Sequence, residues 1–252
     1  MNIIFLGTAG SGKTTLCNVY GQWLKQNRHE SVRFVNLDAG VEYIPFSPDL
    51  DIRNYFTISE IMKKDKLGPN GAMLRANELL LEQKDLVINK INSFNSDFIL
   101  IDTPGQLEAF VFKEAGPLFL QQLKIKSPTI AIFILDAELT RSASNLIVGL
   151  LLAIAVQIQL GIEMVYILHK ADLLSKDSKI IKMIQDPQYL KDRVLSEQLG
   201  SITELALIAH QAVVELTPSM RVISTSAIDP PFGLEEMHDL IHERFCACGD
   251  LT

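Results

Sequence analysis

Gly7-Thr8-Ala9-Gly10-Ser11-Gly12-Lys13-Thr14-Thr15 is the stretch whose reading decides the fold. It fits G-x-x-x-x-G-K-[ST], a loop that wraps phosphate oxygens in backbone N–H groups. The flanks agree with that reading. Asn2-Ile3-Ile4-Phe5-Leu6 reads as a short buried strand. Leu16 to Lys25 reads as a helix, with Leu16, Val19, Tyr20 and Trp23 at helical spacing. Glycines let the backbone approach phosphate without a Cβ clash, and the helix N-terminus adds partial positive charge. Gly10, Ser11, Gly12, Lys13, Thr14 and Thr15 are therefore the candidate phosphate-binding residues. Lys13 reaches toward the β- and γ-phosphates, and the Thr14 hydroxyl is a ligand for Mg²⁺. A glycine-rich turn with no ligand is the plain alternative, and the full motif between strand and helix argues against it.

Moving outward, Val32 to Leu37 reads as a second strand that delivers Asp38-Ala39-Gly40. An acidic residue at a strand's carboxyl end sits where open α/β sheets bind ligands. Asp38 is thus a candidate near Mg²⁺ or the attacking water, with a turn cap as the bland reading. Pro45 to Arg53 reads as loop, where Arg53 either meets phosphate charge or pairs with Asp49 or Asp51. Tyr55 to Lys63 reads as a helix. Gly68-Pro69-Asn70-Gly71 reads locally as a turn, with a long helix from Ala72 to Ile91 behind it.

Asp97 to Asp102 is a further buried strand, running into Thr103-Pro104-Gly105-Gln106-Leu107-Glu108. Four apolar residues with Asp102 at the tip suit an aspartate that holds Mg²⁺ through water. Gly105 offers an N–H to the γ-phosphate. Gln106 and Glu108 are candidates to orient water; their bland reading is polar residues at a helix start. Thr129 to Leu135 is an unbroken apolar run ending at Asp136, which implies a parallel strand covered on both faces.

Leu146 to Leu168 is strongly apolar, but Gln157, Gln159, Gly161 and Glu163 break it. It reads as a buried helix to about Leu160 and a strand from Met164 to Leu168, not as a membrane span. The strand runs into His169-Lys170-Ala171-Asp172. A carboxylate placed like Asp172 accepts from guanine N1–H and N2–H₂, a donor pair that adenine lacks. His169 stands where Asn is usual in the Asn-Lys-x-Asp signature. Ser226-Ala227, after the strand Arg221 to Ser224, lies where a backbone N–H would meet guanine O6. Ser175 to Pro218 reads as a helical insertion, and Gly233 to Phe245 as the closing helix. His238, His242, Cys246 and Cys248 are a weak metal candidate, with no usual zinc spacing.

The bulk properties fit these local readings. The chain has 252 residues, 48% of them hydrophobic, and a formal net charge of −7. That charge argues against nucleic acid or anionic membrane as a partner bound through overall charge. Three scattered cysteines do not make a disulfide framework, so a reducing, cytoplasmic setting is expected.

The ordered set Gly-x-x-x-x-Gly-Lys-Thr, Asp38, Gly68-Pro69-Asn70, Asp102-Thr103-Pro104-Gly105-Gln106-Leu107-Glu108, Lys170-Ala171-Asp172 and Ser226-Ala227 resembles the GPN-loop GTPases, in the compact archaeal form. The resemblance implies one three-layer α/β P-loop domain over 1–252, with a mostly parallel sheet. In it, 64–92 forms the GPN loop and its helix, and 175–220 the helical insertion. It implies hydrolysis of GTP to GDP and phosphate with Mg²⁺, with Lys13, Asp38, Asn70, Asp102, Gln106 and Glu108 catalytic. Thr14, Asp38 and Asp102 would hold the metal. Gly105, His169, Lys170, Asp172, Ser226 and Ala227 would join the phosphate loop in binding nucleotide. It further implies a homodimer in which Asn70 enters the partner's site, and an RNA polymerase assembly role met through the insertion. The family usually has Asp-Pro-Ala where this chain has Asp38-Ala39-Gly40. Three other readings stand beside hydrolysis: a nucleotide-gated assembly factor, a phosphotransferase acting on a small acceptor, and an ATPase.

Overall fold

The structure, a computed structural model, describes residues 1–175, 179–198, 200–216 and 221–249, with side chains up to residue 245. Its strands are β1 (Asn2–Gly7), β2 (Val32–Asn36), β3 (Leu50–Asp51), β4 (Phe98–Asp102), β5 (Thr129–Asp136), β6 (Met164–His169) and β7 (Val222–Ser224). They form one sheet in the order β3-β2-β4-β1-β5-β6-β7, and every pairing within it is parallel. A parallel sheet must be covered on both faces, which is why these strands are apolar runs.

The connections carry α1 (Lys13–Trp23), α2 (Ile58–Asp65), α3 (Pro69–Glu82), α4 (Lys84–Asn92), α5 (Leu107–Val111), α6 (Ala115–Lys126), α7 (Ala143–Leu160), α8 (Ile180–Gln185), α9 (Pro187–Ser196), α10 (Ile202–Leu216) and α11 (Leu234–Gly249). Side chains alternate across each strand and so split the core in two. Ile3 and Phe5 of β1 pack with Leu16 and Tyr20 of α1 and Met237 and Ile241 of α11. Ile4 and Leu6 pack in the opposite layer, which holds Leu80, Val87, Phe119 and Leu146 from α3, α4, α6 and α7.

Several local readings are corrected. Pro45 to Arg53 is not all loop, because Leu50 and Asp51 pair with Val35 and Asn36 as an edge strand. The helix after it begins at Ile58, not Tyr55. Thr57 sets that start through a capping box with Glu60. Gly68-Pro69-Asn70-Gly71 is no turn. Pro69 occupies the first position of α3, where its missing N–H leaves no bond unmade. The single helix expected from Ala72 to Ile91 is two, broken at Gln83 (φ −93°, ψ 2°).

Helix α7 is long and apolar enough to cross a bilayer by composition. Leu146, Ile147, Leu150 and Ala153 are buried, while Val148 and Ile158 are exposed. Its N-terminus is tied down from afar: the Glu197 carboxylate accepts from the N–H groups of Ala143 (2.5 Å) and Ser144 (3.2 Å). A carboxylate on a helix N-terminus also suits the helix dipole.

Candidate active site

Register places the chemistry along one edge. β1 lies between β4 and β5, with Phe5 opposite Asp102 and Gly7 opposite Ile134. The carboxyl ends of the strands therefore bring the phosphate loop, Asp102, Asp136 and His169 to the same rim of the sheet. Gly12 caps α1 with φ +96°, a conformation that side chains rarely tolerate. Lys13, almost fully buried, folds back over the loop and donates to the carbonyl oxygens of Gly7 (3.0 Å) and Thr8 (3.1 Å). Burial lowers its pKa, while Asp102, Asp38 and Glu108 pull the other way. The Ser11 hydroxyl is buried with no partner, and Thr15 is exposed at the helix start.

Beside the loop, Thr14 Oγ1 donates to Asp102 Oδ2 at 2.6 Å. Asp102 has no exposed surface, and its Oδ1 has no hydrogen-bond partner. Burial lifts this carboxyl to about 7; the Thr14 hydrogen bond and Lys13 oppose the rise. A buried carboxylate oxygen left unpaired next to a threonine hydroxyl is a hard-oxygen donor set, so these residues fit Mg²⁺. Asp38 is aimed by Asn36, whose Oδ1 accepts from Asp38 N (3.0 Å) and so ends β2. The Asp38 carboxylate bridges two glycines: Oδ1 accepts from Gly40 N at 2.8 Å and Oδ2 from Gly105 N at 3.0 Å. The N–H that the γ-phosphate would take is thus held by a carboxylate.

An open cleft of about 630 Å³ adjoins the loop, lined by Thr8, Ala9, Asn70, Gln106, Glu108 and Lys113 among others. Asn70 therefore shares a cleft with Gln106 and Glu108 inside one subunit. Lys113 escaped the sequence reading because an exposed lysine carries no motif. Arg53 does not line this cleft. Its guanidinium makes three contacts of 2.7–3.1 Å with the Asp51 carboxylate and one of 3.1 Å with Val41 O. Arg53→Ala should lower thermal stability slightly and leave turnover within about threefold. A loss of a hundredfold in kcat would instead make it a finger, since such arginines supply about 10³ or more.

The far end of the rim is cross-linked by side chains. Lys170 Nζ meets Asp136 Oδ2 at 2.7 Å, and Ser226 Oγ donates to Asp172 Oδ1 at 2.5 Å. His169 is buried, with Nδ1 2.9 Å from Thr225 Oγ1; burial takes its pKa down to about 4. Ser226 N donates to Phe232 O (3.2 Å), which shapes the Ser226-Ala227 turn. The sequence reading took Asp136 only as a strand end and passed over Thr225, since neither the pairing with Lys170 nor the contact with His169 is visible locally.

The weak C-terminal metal candidate falls partly outside the described residues. His238 is buried, with Nδ1 2.9 Å from Tyr20 Oη and its ring among Trp23, Phe98 and His242. Cys246 and Cys248 have side chains outside the described residues. Among the described residues no cluster of three metal-ligating side chains occurs.

Comparisons with known proteins agree with this geometry. A family model described as "Conserved hypothetical ATP binding protein" matches residues 5–247. The chain is 35% identical to "GPN-loop GTPase PAB0955" of Pyrococcus abyssi over the full length of both. The chain belongs to the GPN-loop GTPase family. It is 28% identical to "GPN-loop GTPase 1" of Dictyostelium discoideum, covering 96% of this chain and 60% of that protein. The crystal structure of PAB0955, described as a GTPase in apo form, matches with a TM-score of 0.87 at 34% identity and covers 98% of each chain. The Gly68-Pro69-Asn70 element that names this GPN-loop family sits at the N-terminus of α3, with Asn70 lining the cleft.

Proposed function

We propose that this protein binds GTP with Mg²⁺ and hydrolyses it to GDP and phosphate. The observation that carries the reading is one rim of the sheet holding both Lys13 beside Asp102 and Asp172 beside Lys170. Phosphate-handling and base-reading groups thus share one rim of the sheet. The description of the family model names ATP, whereas the relatives' names say GTPase. Asp172 favours guanine, because a carboxylate facing adenine would meet no N1–H donor. Lys13 leaves the Gly7 and Thr8 carbonyls for the β- and γ-phosphates, and Ser11 and the loop N–H groups bind phosphate oxygens. Thr14 and Asp102 would hold Mg²⁺, with Asp38 beside them; an ion held there would supply positive charge against the phosphates. Gln106 and Glu108 orient the attacking water in line with the departing diphosphate.

The test is phosphate release from GTP and from ATP, side by side, over a range of protein concentrations. Release from GTP alone supports the reading, and equal use of ATP defeats the base assignment. A switch-like assembly factor is a second reading, favoured by the Asp38 to Gly105 bond, which a γ-phosphate must displace. Tight GTP binding without turnover would favour it.

In this proposal the protein works in the cytoplasm as a homodimer, and the helices between β6 and β7 meet a protein partner. Asn70 completes the partner subunit's site. Asn70→Ala should lose about tenfold in kcat. Mixing it with Lys13→Ala subunits should restore hydrolysis, because each mixed dimer regains one complete site. No recovery on mixing would put Asn70 to work in its own subunit, where it already lines the cleft with Glu108.

A further inference from the structure

We propose that His169 is a positioning residue that locks the base-reading loop onto the phosphate loop, and so sets how strictly the site demands guanine. The inference rests on the GTP reading above and concerns its specificity.

The ring is wedged between two elements. On one side lies Gly12: a Cβ built there would stand 2.7 Å from His169 Cδ2 and 3.0 Å from Nε2. The imidazole thus touches the phosphate loop where any side chain would displace it. On the other side, Nδ1 meets Thr225 Oγ1 at 2.9 Å. Thr225 is itself fully buried and anchored twice, its N–H donating to Leu168 O (2.9 Å) and its carbonyl accepting from Ala171 N (3.1 Å). Ala171 lies between Lys170 and Asp172, so the same few bonds hold both base-facing residues.

In this role His169 acts on the two loops rather than on the purine. Nδ1 is used by Thr225, and the ring faces Gly12. Burial keeps the imidazole neutral near pH 7, so it fills the gap without adding charge beside Lys170 and Lys13. Its contribution is distance: a solid spacer fixes how far Asp172 stands from the loop that holds the phosphates. A nucleotide spans both, so a loose spacer relaxes the register of the base. Small misplacements of positioned groups are costly at such sites.

ITP is the probe, because it differs from GTP only in lacking the exocyclic amine that Asp172 reads. His169→Ala should raise KM for GTP about tenfold, with kcat within about threefold, and lower the GTP-over-ITP ratio of kcat/KM about fivefold. His169→Asn, which keeps a short polar bridge, should return both values most of the way. Thr225→Val removes the hydroxyl with little change of shape, and should move the ratio in the same direction as His169→Ala. A merely structural role would lower the melting temperature and the active fraction without changing the ratio. If folded His169→Ala and Thr225→Val both keep the wild-type KM and ratio, the inference is overturned. A wild-type protein that turns over GTP but ignores the amine overturns it too, whereas one that does not use GTP at all defeats the functional reading itself.

Discussion

Lys13→Ala will reduce GTP hydrolysis by about a thousandfold, equivalent to about 4 kcal/mol of transition-state stabilisation. The side chain is almost fully buried and bound to two loop carbonyls, so its ammonium is already placed at the mouth of the loop. Its pKa is lowered by burial, and three acidic side chains, Asp102, Asp38 and Glu108, oppose that fall. That arrangement makes the charge differential. As the γ-phosphate departs, negative charge grows on the oxygens that Lys13 would face, and Arg53 offers no second side-chain cation because it is committed to Asp51. Arginine should not rescue the site. Its planar fork is larger than an ammonium and would enter the same nearly buried position at the loop. The measurement is single-turnover phosphate release together with GDP affinity. A fall in kcat much larger than the rise in Kd for GDP is the expected signature. A variant retaining a tenth of wild-type turnover would remove Lys13 from the centre of the mechanism.

Much of this site was legible because its pieces are local. The phosphate loop, Asp102 at a strand tip and Lys170-Ala171-Asp172 each declare themselves within a few residues, and buried parallel strands declare themselves as apolar runs. What escaped the sequence was decided by contacts at long range. β3 is only Leu50 and Asp51, too short to carry a period, and it exists because Val35 and Asn36 accept it at the sheet edge. Pro69-Asn70-Gly71 has turn chemistry and helix-start chemistry at once, and the packing of α3 on the core chooses the helix. The break at Gln83 has no glycine or proline to announce it. Arg53 had two readings, phosphate or a neighbouring aspartate, and the edge strand that fixes Asp51 selects the second. His169 and Gly12 are 157 positions apart in the chain, by subtraction of their numbers, and only the closed sheet brings them together.

Asp102→Asn should separate stability from function in opposite directions. In the wild-type protein burial raises this carboxyl from an ordinary 3.8 to about 7. Between those values the folded state holds a proton that the unfolded chain has released. Stability therefore falls as pH rises through that window and is lowest above 7, where the buried group is charged in the native state. Three pK units correspond to about 4 kcal/mol at most. Asparagine carries no such charge. Its Oδ1 still accepts from Thr14, and its amide takes the place of the unpartnered oxygen. The nucleotide-free variant should thus melt about 5–10 °C higher than wild type at pH 8, with the gap closing as pH falls toward 4. Hydrolysis should move the other way, by a hundredfold or more, because the unpartnered Asp102 Oδ1 is the oxygen that fits the metal. Thermal shift with and without Mg²⁺ and GTP reads both effects in one experiment. Wild type should gain stability from the pair together, while Asp102→Asn should start higher and gain little. Equal gains in both proteins would mean that Asp102 carries no part of the metal site. A gap independent of pH would mean that its burial is not what holds the native state down. The expected pattern is that of a carboxylate kept where folding disfavours it because the ligand requires it.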